Sequence, residues 1–189
     1  MTAPAGAPTG AAARHGFASS LSADEFKALF RGHPGGVAVI TADAGDGPVA
    51  LTATSVVSVS AEPPLLIFSI SALSSSSDAL SRAETVVVHL LDANDIDVAK
   101  LGASRGVDRF AQAQSWSRLP TGEPVYDGVR AWVRCAVIDR MDAGTSTVIA
   151  AHALESGFGR ELGAGDAGDA LVYHNRAWHR LSDQSRIDA

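Results

Sequence analysis

Ser69, Ser71, Ser74 and Ser76 cluster at the end of an apolar segment, Leu65-Leu66-Ile67-Phe68-Ser69-Ile70-Ser71, and in the serine run after it. Any serine of that run can cap a short helix starting near Asp78. Free backbone N–H groups at a helix start, with hydroxyls beside them, suit a phosphate. The same residues read first as a solvated loop with a helix cap, because Ser favours both roles through local hydrogen bonds. Asp78 in the first turn also competes with an anion for the helix dipole. Upstream, Thr52, Thr54, Ser58 and Ser60 alternate with Val49, Leu51, Ala53, Val57 and Val59, which predicts one strand over 49–60 with a packing face and a hydrogen-bonding face.

Other familiar chemistries lack their residues. The histidines at 15, 33, 89, 152, 174 and 179 show no His-x-x-x-His spacing, and a single cysteine allows no Cys-x-x-Cys pair, so the sequence predicts no dedicated metal site. No Gly-x-Ser-x-Gly elbow, Walker loop or strand-linked Gly-x-Gly-x-x-Gly is present. His89 lies mid-strand among apolar residues and reads as a hydrogen-bonded core histidine. Cys135 reads as a small core residue and implies no oxidising compartment.

Strands must position these groups. Ser22 and Glu25 have capping-box spacing, with Phe26, Leu29 and Phe30 as an apolar stripe on the helix that follows. A strand over 37–42 meets the turn-rich Asp43 to Pro48 and returns as a hairpin. Leu65 to Ser71 is apolar enough for a strand buried on both faces. Thr85 to Leu91 is a β-branched strand, and Asp92 caps a helix over 94–101 that Gly102 closes. Val129, Ala131, Val133, Cys135 and Val137 share one face of a long strand. Residues 145–154 form another strand, and 171–173 with 178–181 form a last hairpin. Some seven strands without strand-helix alternation predict a closed or nearly closed antiparallel barrel, a mainly β fold with a few short helices.

The 189 residues fit one domain, 21–182, flanked by a disordered tail over 1–20 and a C-terminal tail over 183–189. A net charge of −6 leaves no basic footprint for nucleic acid, and no apolar run approaches the roughly 20 residues that span a bilayer. The Ala-, Gly- and Pro-rich start has no signal-peptide h-region, so a cytoplasmic protein is expected.

Four stretches carry a family resemblance: Phe30 to Thr41, Ala50 to Leu65 (ALTATSVVSVSAEPPL), Asp108-Arg109-Phe110, and Leu171 to His174. In these the chain resembles the flavin reductase-like family of FMN-binding split barrels, the reductases that supply reduced flavin to partner monooxygenases. The resemblance implies an antiparallel Greek-key split barrel and an NAD(P)H-dependent FMN reductase, with FAD as the other candidate flavin and NAD(P)H as substrate. It implies that Thr52, Ala53, Thr54 and Ser55 run beside the pyrimidine side of the isoalloxazine. Pro34, Gly36 and Val37 then line the ring, and Ser69, Ser71, Ser74 and Ser76 hold the ribityl chain and phosphate. Arg109-Phe110 matches the family's basic-aromatic pair near the flavin, and Arg109 supplies the charge the serine loop lacks. A homodimer with flavin near the subunit interface, and a partner flavin-dependent monooxygenase, are implied likewise.

The chain departs from the family at one motif. Many members carry Gly-Asp-His-Thr, whose His helps place the nicotinamide dinucleotide, where this chain has Gly144-Thr145-Ser146-Thr147. Thr145 and Ser146 replace the acid and the imidazole, and Ser146 and Thr147 keep hydroxyls for the nicotinamide. A flavin carrier without efficient turnover, or a β-barrel binding module for another ligand, therefore stand as alternatives, and no catalytic proton donor is assigned.

Overall fold

A computed structural model describes residues 20–161 and 168–187. The tail expected over 1–20 lies outside these residues except for Ser20, as does part of the Gly-rich connection after Phe158. The described residues form α1 (Ala23–Arg31), β1 (Gly35–Gly36), β2 (Ala38–Asp43), β3 (Pro48–Ala53), β4 (Val57–Ala61), β5 (Pro64–Ser71) and α2 (Ser77–Arg82). These are followed by β6 (Thr85–Leu90), α3 (Ile96–Ala103), β7 (Trp116–Arg118), β8 (Pro124–Tyr126), β9 (Ala131–Ala143), β10 (Ser146–Gly157), β11 (Ala170–His174) and β12 (Ala177–Leu181). None of the described helices is long and apolar enough to cross a membrane.

One seven-stranded antiparallel sheet, in the order β3-β2-β6-β9-β10-β5-β4, curls around a core. Its edges β3 and β4 are consecutive in the chain yet not hydrogen-bonded to each other, so the barrel is split there. Every second residue points inward: Ala38, Ile40 and Ala42 from β2, Phe68 and Ile70 from β5, Val86 and Val88 from β6, Ile149 and Ala151 from β10. Cys135 joins them, fully buried, its thiol pushed up to about 12 by burial. Outside the barrel a second apolar layer of Val37, Val39, Ala50, Ala99, Phe110, Tyr126, Val129 and Leu171 packs α3, the 108–126 segment and the β11–β12 hairpin onto β2 and β3. Truncating a barrel residue such as Ile149 to Ala should cost about 2–5 kcal/mol.

The structure corrects several boundaries. The strand expected over 49–60 is two strands, because Ser55 leaves the ladder: its hydroxyl accepts from Ser69 N at 3.0 Å. Past this corner Val57 and Val59 are exposed instead of sharing the packed face of Val49, Leu51 and Ala53. β5 is buried on its even-numbered face only; Leu65, Ile67 and Ser69 are half-buried. Val129 precedes β9 and packs in the outer layer. Gly102 lies within α3 and does not end it; glycine is needed there because a Cβ would collide with Thr52 Oγ1.

Ser22 does cap α1, with both halves of the capping box formed. The stripe it carries stays outside the core: Phe26, Leu29 and Phe30 are more than half exposed.

Candidate functional site

β3 is an edge strand, and Thr52 near its end and Thr54 just past it line two different cavities. Alternate residues of a strand stand about 6.6 Å apart on one face, so both openings lie within the reach of one extended small molecule. The first cavity, about 290 Å³, is lined by Thr52, Ser71, Ser74, Gly102, Arg105 and Arg109. The second, about 650 Å³, lies between α1, Gly35, Thr54, Ser55 and the turn joining β11 to β12.

The serine loop around the first cavity is already tied to itself. Ser71 Oγ accepts from Leu73 N at 3.3 Å, Ser74 Oγ from Ser76 N at 3.3 Å, and Ser74 O from Ser77 N at 3.1 Å. The loop amides expected to be free at the helix start are therefore largely taken, and α2 is short. Ser76 is buried and makes no side-chain cap. Its hydroxyl donates to Ala50 O at 2.8 Å and accepts from Arg109 Nη1 at 3.1 Å. It joins β3 to Arg109, leaving Ser71, Ser74 and Ser75 as the loop's serines on the cavity. Asp78 turns away to pair with Arg82 at 3.0 Å.

Positive charge comes from Arg105 and Arg109. Arg109 is held by three contacts besides Ser76. Its Nη2 donates to Ser104 O, its carbonyl accepts from Tyr126 Oη at 2.9 Å, and its neighbour Phe110 stacks on Tyr126 with ring centroids 5.2 Å apart. Its Nε is buried and has no hydrogen-bond partner among the described residues. A buried guanidinium N–H without a partner is costly, and an anion in the cavity is the kind of group that would complete it. Phe110 is a buried anchor for this segment and lines neither cavity.

Behind Tyr126 stands His89. Tyr126 N donates to His89 Nε2 at 3.0 Å, so the proton is on Nδ1, which donates to Val39 O at 2.9 Å. Burial pushes the imidazole down to about 4, and it stays neutral near pH 7. Burial likewise raises the Tyr126 hydroxyl to about 12, keeping it protonated as a donor.

On the second cavity, Gly35 packs on Thr54, where a Cβ would come within 2.8 Å of Thr54 Cβ. Gly36 is exposed, with nothing within 4 Å of where its Cβ would stand. Pro34 is exposed beside them, whereas Val37 and Ala53 are buried in the two cores, and the Val37 backbone is already engaged, donating to Leu171 O at 3.1 Å and accepting from Leu91 N at 3.4 Å. Ser69 faces Ser55.

Ser146 pairs with Ser71 and Thr147 with Ile70 across the β10–β5 ladder. Adjacent strand residues point to opposite faces, so the two part company: Ser146 shares the outer face with Ser71, while Thr147 faces α2 beside Ile70 and Ser81. Neither lines the second cavity. Among the described residues no three His, Cys, Asp or Glu side chains converge as metal ligands. The buried carboxylates Asp92 and Asp95 are instead bridged by Arg160.

Sequence reasoning missed Arg105, three residues before the Asp-Arg-Phe motif, and the cationic lining of the second cavity, Lys27, Arg31 and Arg176. The first had a usable signal in its closeness to Arg109. The second had none, because only the fold brings α1 to a turn some 145 residues away.

The profile of the family described as flavin reductase like domain matches residues 30–182. An NADH:FMN oxidoreductase of Rhodococcus qingshengii is 39% identical over 162 residues, covering 86% of this chain and 83% of that protein. The crystal structure of a flavin reductase domain protein from Arthrobacter sp. FB24 superposes with a TM-score of 0.78 at 30% identity, over 88% of this chain and 98% of the other. BorF, the flavin reductase component of a bacterial two-component tryptophan halogenase, gives 0.72 at 30% identity, over 86% and 99%.

Proposed function

Because the chain belongs to the flavin reductase-like domain family, and is an NAD(P)H-dependent flavin reductase, we propose that one FMN lies along the end of β3 and spans both cavities. The observation that carries this placement is the pair Thr52 and Thr54, opening on a cavity with two guanidinium groups and on a larger one lined by Gly35. The donor set fits: Arg109 keeps an unpartnered buried Nε, and Ser71, Ser74 and Arg105 stand around the same space.

In this reading Arg105, Arg109 and Ser74 hold the phosphate, and Ser71 and Thr52 flank the ribityl chain. The end of β3 at Thr52 and Ala53, with the bend at Thr54 and Ser55 that follows it, offers backbone N–H and C=O groups to the pyrimidine edge. Pro34 and Gly36 flank the ring, and the empty space at Gly36 leaves room for a stacked nicotinamide. Flavin supplies the hydride acceptor when bound. The chain's own contribution is position and electrostatics. Arg109 is fixed before any ligand arrives, so binding orders little protein, and β3 amides near the pyrimidine favour negative charge there. No side chain needs to move a proton to the reacting atoms.

The relatives named as reductase components support a partner oxygenase that consumes reduced flavin, and we place the protein in the cytoplasm as a homodimer. Purified protein given FMN and then NADH or NADPH without oxygen tests the reading. Bleaching of the visible flavin band on adding the nicotinamide is expected. Binding without bleaching would overturn the reductase, and an unchanged flavin spectrum with no binding would overturn the site.

A further inference from the structure

The chain as a whole is acidic, with a net charge of −6. The second cavity is its opposite: Lys27, Arg31 and Arg176 line it, and no carboxylate does. Its apolar walls are aromatic, with Phe26 and Phe30 from α1, rings 4.6 Å apart, and Tyr173 from β11. The cationic walls are tied together by backbone, since Asn175 N donates to Arg31 O at 3.0 Å. Asn175 and Arg176 both sit in the left-handed region, with φ of 48° and 63°, where a non-glycine residue costs roughly 1–2 kcal/mol. That strained turn brings Arg176 to the same cavity as Arg31.

We infer that this groove takes the adenosine diphosphate half of the nicotinamide dinucleotide, its pyrophosphate between Arg31 and Arg176 with Lys27 nearby and its adenine against the aromatic wall. The inference rests on the flavin reading of Gly35, Thr54 and Ser55, which form the other end of the same cavity, so a nicotinamide stacked there has its phosphates pointing toward α1. It also accounts for the missing acid and imidazole. Thr145 and Ser146 stand where the acid and the imidazole would be, and neither lines the groove. Donor binding in this chain draws its charge from α1 and the β11–β12 turn. Guanidinium–phosphate pairs are bidentate and charge-assisted, and a pair on each side of a pyrophosphate gives both orientation and affinity.

The test uses FMN-loaded protein and ADP as the probe. In the wild type ADP should bind by calorimetry and inhibit competitively against NADH. Arg31→Gln and Arg176→Gln should each raise the KM for NADH about ten-fold, the loss expected for one charge-assisted pair, with kcat held within about two-fold. The double variant should lose measurable ADP binding while its FMN affinity stays unchanged, and Arg176→Lys should restore part of the loss if the turn still forms. Unaltered ADP binding and KM in Arg31→Gln, which lies on an exposed helix surface, would overturn the inference. So would a dimer that dissociates in these variants without change in ADP binding, because the groove would then be a subunit surface. A fall in FMN affinity with ADP binding intact would also sink it, by giving the cations to the flavin. Failure of the wild type to bind FMN would instead count against the flavin reading, and ADP binding would still decide the groove.

Discussion

The two cavities at the end of β3 are built in opposite ways. Around the first, hydroxyls and amides are already engaged, and Arg109 is pinned by Ser76, Ser104 and Tyr126 from three parts of the chain. Around the second, the cations sit on an exposed helix with no buried residue and on a two-residue turn. A rigid, prepaid site suits a group that must be held in one pose, whereas exposed charges on a lightly attached helix suit a ligand that enters and leaves each turnover.

Acid should break this contrast from the first side. His89 is neutral when folded, with a pKa of about 4 against the usual 6.5, so the unfolded chain takes up its proton first. Its contribution is fully present above pH 6.5 and is lost as pH falls toward 4, by about 3 kcal/mol in all. Denaturant titrations across that window should show the slope, and His89→Gln should flatten it. An equal slope in the variant would mean the loss comes from elsewhere.

Arg109→Ala comes next. Losing charge-assisted contacts to the phosphate should cost about 1.5–3 kcal/mol, and only for FMN. Fluorescence titrations should give a weakened FMN constant beside an unmoved riboflavin constant; parallel losses would place the phosphate elsewhere. The smallest effect is expected from Ser22→Ala, which removes the capping box and costs α1 about 1 kcal/mol. It should raise the NADH KM and spare both FMN affinity and the melting temperature. A lowered melting temperature would show that α1 braces the barrel after all.

What the sequence disclosed divides along a physical line. The Ser22–Glu25 box, the apolar run of β2, the β-branched run of β6, the buried Cys135 and the core role of His89 are local, and a single stretch of chain suffices to read them. The serine loop was found, but the duty of each hydroxyl was not. Ser76 faces the Ala50 carbonyl and Arg109 across the fold, which no spacing encodes. The break at Thr54 to Val56 was hidden because Val57 and Val59 continue the period-two pattern after the chain has turned to the opposite edge. Val37, implied to line the ring, and Phe110, implied to lie near the flavin, have their side chains in the outer apolar layer. Ser146 and Thr147, read as one nicotinamide pair, face opposite sides because adjacency in sequence means opposition in a strand.

Cys135, the chain's one thiol, sits inside the barrel with a pKa of about 12. Almost none of it is thiolate at neutral pH, and no reagent reaches it while the strands stay closed. Its alkylation therefore becomes a stopwatch for opening of the barrel, free of interference from any other sulfhydryl. Since a ligand that binds only the closed form suppresses opening in proportion to its saturation, the labelling half-life at graded flavin concentrations reads occupancy from the core outward, without light absorption or turnover.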